Sequence, residues 1–120
     1  MEYTVRCFGV PLKFPKNRER LYVVRADTKE VLLVEEGDGK AVHMPHNEVK
    51  GLTGQLWFIH NHLSLTDMQC SPNDVAVANK HKHLCPDNKS RFFVTTEIGW
   101  SEFDELGTVN KPTDIQEEVA

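Results

Sequence analysis

Two histidines one residue apart, His60 and His62, close the apolar run Leu56-Trp57-Phe58-Ile59, a run of the kind that forms a buried strand. In an extended chain residues i and i+2 share a face, so both imidazoles project to the same side of the strand end. A short polar loop leads to Ser71-Pro72-Asn73-Asp74, where Ser suits an N-cap, Pro the first helical position and Asp the first turn. Asp74 on that helix start is within reach of the two histidines as a third ligand. Two neutral imidazoles and one carboxylate, with a fourth position left for water, form the ligand set of one catalytic Zn2+. Such an ion lowers the pKa of a water to about 7, and a general base is then required nearby.

His60-x-His62, a short loop and Ser71-x-x-Asp74 resemble the signature of the JAMM (JAB/MPN+) metallopeptidases. The His-Asn-His wording is especially similar to bacterial and phage JAB domains and RadC-type proteins. Over Glu19 to Val77 the resemblance implies that His60, His62 and Asp74 hold zinc, that a glutamate on an earlier strand activates water, and that Ser71 stabilises an oxyanion. Leu63 stands where the family has proline, and the loop up to Cys70 is slightly longer than the family's. The family places the glutamate at the start of a strand that precedes a hairpin. Glu19, directly before Leu21-Tyr22-Val23-Val24, is preferred on that ground over Glu30, Glu35, Glu36 and Glu48. The resemblance further implies a JAB/MPN, cytidine-deaminase-like architecture and a protein or peptide substrate, including ubiquitin-like tails. A non-catalytic module on the same fold and a RadC-like nucleic-acid-associated factor are its alternatives. His60-Asn61-His62 also spells the name of the HNH nucleases, but those spread their residues over a ββα element, so the adjacency is coincidental.

The elements that must carry these residues read as α+β: a mixed sheet with one main helix packed beside the metal-bearing strand. Tyr3 to Phe8 is expected to be an edge strand ended by Gly9-Val10-Pro11. Leu21–Val24 and Val31–Val34 form a hairpin, and Ala41 to Met44 suits a third short strand. A helix from Pro72 to about His83 follows, then a loop at Cys85 to Lys89, a strand over Phe92–Thr96 and another from Ile98 to Phe103. Trp57 belongs to the core.

The 120 residues suggest one domain, residues 1–109, with an acidic tail over 110–120 that is either helical from Thr113 or disordered. A net charge of -4 exerts no global pull on nucleic acid, and no apolar stretch is long enough to span a membrane. Without a signal-peptide pattern, and with three unpaired-looking cysteines, the expected compartment is the cytoplasm. His81, His83 and Cys85, with Cys70, contain the donors of a second zinc site, but cations complementing a helix C-terminus are the preferred reading. His43 and His46 are expected to face solvent, and Cys70 to line the loop as a small buried residue.

Overall fold

In the computed structural model, which describes residues 2–63, 71–97, 99–107 and 109–110, the chain is α+β. The strands are β1 (Glu2–Cys7), β2 (Val10–Pro15), β3 (Arg20–Arg25), β4 (Glu30–Glu36), β5 (Gly54–Asn61), β6 (Asn88–Thr96), β7 (Gly99–Phe103) and β8 (Val109–Asn110). The helices are α1 (His46–Val49), one turn long, and α2 (Pro72–Leu84). Six strands form a mixed sheet in the order β4-β3-β5-β6-β7-β8. All neighbours are antiparallel except β5 and β6, which run parallel because α2 carries the chain back between them.

Both faces of this sheet are covered, which is why β5 reads as a continuous apolar run. Trp57 and Ile59 pack with Phe93 and Trp100 against the β1–β2 hairpin, which contributes Cys7, Phe8, Leu12 and Phe14. Leu56 and Phe58 point the other way, toward Val49, Ala78 and Phe92. His60 continues the second alternation and so emerges on the face that α2 covers.

The first strand ends before Gly9 as expected, but Val10 and Pro11 already belong to a second strand. Phe8 (φ 50°) and Gly9 (φ 88°) both adopt positive φ, the requirement of a tight two-residue hairpin turn. Val10–Pro15 then pairs residue for residue with β1. Pro11 and Pro15 are tolerated because this ladder has only two strands, leaving an edge that needs no N–H. Ala41 to Met44, expected to be a strand, is irregular. Asp38 captures the backbone instead: its Oδ1 accepts the N–H groups of Lys40 and Ala41 at 2.8 and 2.9 Å. Asn88-Lys89, expected in a loop, opens β6 through parallel pairing with Gly54 and Gln55. The expected tail from residue 111 onward, with its helix from Thr113, lies outside the described residues, as do Ile98 and Cys70. The sheet itself continues through Asn110, which pairs with Glu102.

Candidate metal centre

His60 is the penultimate residue of β5, and His62 follows its end, where the His62 N–H still donates to the Thr95 carbonyl at 2.8 Å. The strand periodicity brings both rings to one side, and their Nε2 atoms stand 3.3 Å apart. Across from them α2 begins with a reciprocal capping box. The Asp74 N–H donates to Ser71 Oγ at 3.1 Å, and the Ser71 N–H donates to Asp74 Oδ2 at 2.9 Å. The cap fixes the carboxylate so that Oδ1 lies 3.2 Å from His60 Nε2 and Oδ2 lies 3.0 Å from His62 Nε2.

These separations can be tested against an ion. Around a tetrahedral zinc with ligands at about 2.0–2.1 Å, neighbouring ligand atoms are about 3.3 Å apart. The two Nε2 atoms, 3.3 Å apart, fit one edge of such a site, while the 3.2 and 3.0 Å contacts end on different carboxylate oxygens, Oδ1 and Oδ2, so that either oxygen is placed to join them. The donor set points the same way. Hydrogen bonds alone require both Nε2 atoms to be protonated, one N–H to each carboxylate oxygen; deprotonated, the same two nitrogens and the carboxylate face one another as metal-ligand atoms. His60 and His62 are buried, below a tenth exposed, and Asp74 is partly buried. Burial alone would raise the Asp74 carboxyl, but the hydrogen bonds from His60 and His62, the His60 charge and the Ser71 amide outweigh it and hold the group well below the usual carboxylate range. Among the described residues these are the only three His, Cys, Asp or Glu side chains whose ligand atoms all lie within 4.8 Å of one another. The group could hold a metal ion.

Glu19, just before β3, lines the same cavity of about 260 Å3 as His60, His62, Ser71 and Asp74. Burial pushes its carboxyl above the ordinary value; His60 and His62 oppose the shift, and Asp74 and Asp38 add to it. Glu30, Glu35, Glu36 and Glu48 do not line this cavity. Glu36 is committed elsewhere, bridging Arg18 and Arg20 at 3.2 and 2.7 Å. Both sides of Glu19 are tied down. Its N–H donates to the Asp38 carbonyl at 2.7 Å, and its own carbonyl accepts from the Gly37 N–H at 2.8 Å. Only glycine fits at position 37, since a Cβ there would run into the Ala41 carbonyl and Val42.

Asn61, the residue between the histidines, was not singled out in the sequence. It is fully buried on the hairpin side, and its amide spans the residues that flank Glu19. Oδ1 accepts the Arg20 N–H at 2.7 Å, while Nδ2 donates to the carbonyls of Pro15 at 3.0 Å and Arg18 at 3.1 Å. One residue thus couples the metal strand to the strand that carries the glutamate.

His81, His83 and Cys85 are not gathered. His83 is exposed, and the Cys85 thiol donates to the His46 carbonyl at 3.5 Å. His81 corrects the reading of a cationic helix end: it is fully buried, and burial pushes it down to about 4, with an Asn88 hydrogen bond opposing and His46 and Lys82 adding to the shift. Asn88 Nδ2 donates to the carbonyls of Val49 and Leu52, so its Oδ1 must accept from His81 Nε2–H at 3.1 Å. His81 Nδ1 is then an acceptor, 2.9 Å from His46 Nδ1, which donates. His46 is therefore a half-buried partner of the helix, not a solvent-facing residue; His43 is exposed as expected.

No helix among the described residues is long and apolar enough to cross a membrane. No protein-family model matches the chain, and no curated protein matches it.

Proposed function

We propose that this chain is a zinc-dependent hydrolase of JAMM type, with a JAB/MPN-like arrangement of its sheet and helix, that cleaves a peptide or isopeptide bond. The observation that carries the reading is the convergence of Glu19 with His60, His62 and Asp74 in one cavity, from three separate elements. His60, His62 and Asp74 would hold the ion. Zinc bound there supplies Lewis acidity, bringing the pKa of a water to about 7 and polarising a carbonyl.

The chain's own residues divide the remaining work. Glu19, partly desolvated and with its backbone clamped on both sides, takes a proton from the attacking water and returns it to the leaving amine. A carboxyl raised above its ordinary value by burial is better suited to hold and return that proton. Ser71 Oγ already accepts the Asp74 N–H, which leaves its hydroxyl proton available to the developing oxyanion. Asp74, whose carboxyl His60, His62 and the Ser71 amide hold well below the usual carboxylate range, stays an anion and so serves as the third ligand.

Zinc-loaded protein incubated with a mixed peptide digest, read by mass spectrometry for new termini, tests the proposal. The parent should cut, and Glu19→Gln should retain zinc while cutting at least about 100-fold more slowly. Equal rates in the two proteins would exclude Glu19 as the base, and absence of cutting by the parent would favour a non-catalytic metal-binding module.

A further inference from the structure

The cavity is chemically two-sided. One side is the metal group with Glu19; the other is built from side chains of the hydrophobic core. Phe58, Phe92 and Phe103 line it, with Phe58 and Phe92 stacked at 5.3 Å and Phe92 and Phe103 tilted at 5.8 Å between ring centroids. Leu21, Val42, Met44, Leu63 and Val77 add to the apolar lining, Val77 from one turn down α2. Lys40 and Asn73 also line the cavity, but both are exposed and therefore stand at its mouth. A volume of about 260 Å3 exceeds what a metal and its water occupy, and is room for one large side chain.

We infer that this apolar side is the subsite for the substrate residue adjoining the scissile bond, and that it selects a bulky aromatic or long aliphatic side chain. The inference rests on the hydrolase reading above and narrows its substrate: a peptide bond beside a residue such as Phe, Leu or Met, in preference to a Gly-Gly tail of the ubiquitin kind. A glycine there brings no apolar side chain to bury and makes no dispersion contacts with the phenylalanine-lined wall. A benzyl or isobutyl group covers that wall and excludes water from the metal side, where hydrogen bonds and charges then act in a lower dielectric.

The test reads binding. Zinc-loaded protein is titrated calorimetrically with acetohydroxamate and with 3-phenylpropanoyl hydroxamate, which share a zinc-binding head and differ in the apolar group. The phenyl compound should bind about 10- to 100-fold tighter. Val77→Phe, which fills the cavity from the helix side, should take up zinc as the parent does and bring the two affinities together. Affinities within about twofold in the parent, or a preference untouched by Val77→Phe in protein shown by its melt to be folded, would overturn the subsite. Those results would leave the hydrolase reading standing, because zinc uptake and the Glu19 comparison are measured separately. Failure of the parent to bind zinc would remove both.

Discussion

The side-chain oxygen of Asn61 accepts the main-chain N–H of Arg20 at 2.7 Å, so the residue between the two histidines fixes the backbone next to Glu19. Its amide nitrogen holds the Arg18 carbonyl on the other side of Glu19 and the Pro15 carbonyl at the end of the hairpin. Asn61→Ala removes all three bonds from a fully buried position and should lower the unfolding free energy by about 3 kcal/mol. Asn61→Asp keeps the acceptor for Arg20 but sets a carboxylate against two carbonyls, and should be no more stable than the alanine variant. Urea melts measure this; a loss under about 0.5 kcal/mol in either variant would mean that Asn61 does not act as the clamp.

Ser71 has two roles that substitution separates. As the N-cap, Ser71→Ala should lose roughly 1 kcal/mol, and Ser71→Asp or Ser71→Asn should recover most of it. As a hydroxyl donor to the oxyanion, it cannot be replaced by an ionised aspartate, so Ser71→Asp should be stable, keep zinc and turn over about 100- to 1000-fold more slowly. Melts, metal content and single-turnover cleavage across the three variants decide between them. Activity that simply follows stability would reduce Ser71 to a cap.

What the sequence made legible was local. The alternation through Phe58, His60 and His62 and the Ser71-Pro72 helix start are short-range signals, and the structure places Phe58 and His60 on β5, His62 just past its end, and Ser71 at the cap of α2. Long-range partners left no such mark. Asn61 acts through Pro15, Arg18 and Arg20, more than forty positions earlier, and His81 is enclosed by Phe58, Phe92, Asn88 and His46 from other elements. Pro11 reads as punctuation because proline breaks a ladder, and only a two-stranded hairpin with a spare edge makes it and Pro15 admissible. Ala41 to Met44 has a strand's composition but follows Asp38, whose side chain outcompetes a ladder for the local N–H groups.

The buried His81 should govern acid sensitivity. Its folded pKa of about 4 lies below the unfolded value of 6.5, so between these the unfolded chain binds a proton that the folded one does not. Stability is therefore full above pH 6.5 and falls as the pH drops toward 4, by about 3 kcal/mol in all. Asp74, depressed from 3.8, loses its contribution only below that pH, so the two windows are separate. Urea melts in chelator, where metal release makes no contribution, should show the decline between pH 6.5 and 4 in the parent and a flatter curve in His81→Gln. Identical pH profiles would assign the acid sensitivity to other groups.

Glycine at position 37 should be indispensable to the Glu19 turn. Gly37→Ala forces the Ala41 carbonyl and Val42 aside and, with them, the N–H that holds the Glu19 carbonyl. The variant should be less stable by about 1–3 kcal/mol, and zinc-loaded folded protein should cleave more slowly while binding zinc as tightly as the parent. A parallel loss of zinc affinity would show instead that the turn supports the metal ligands.

X-ray absorption at the zinc edge, on protein loaded with one equivalent of zinc, tests the central claim most directly. The account predicts a nitrogen and oxygen shell at about 2.0–2.1 Å with imidazole scattering and no sulfur near about 2.3 Å, and loss of bound zinc in the His60→Ala/His62→Ala double variant. A sulfur shell, or full zinc occupancy in that double variant, would contradict it.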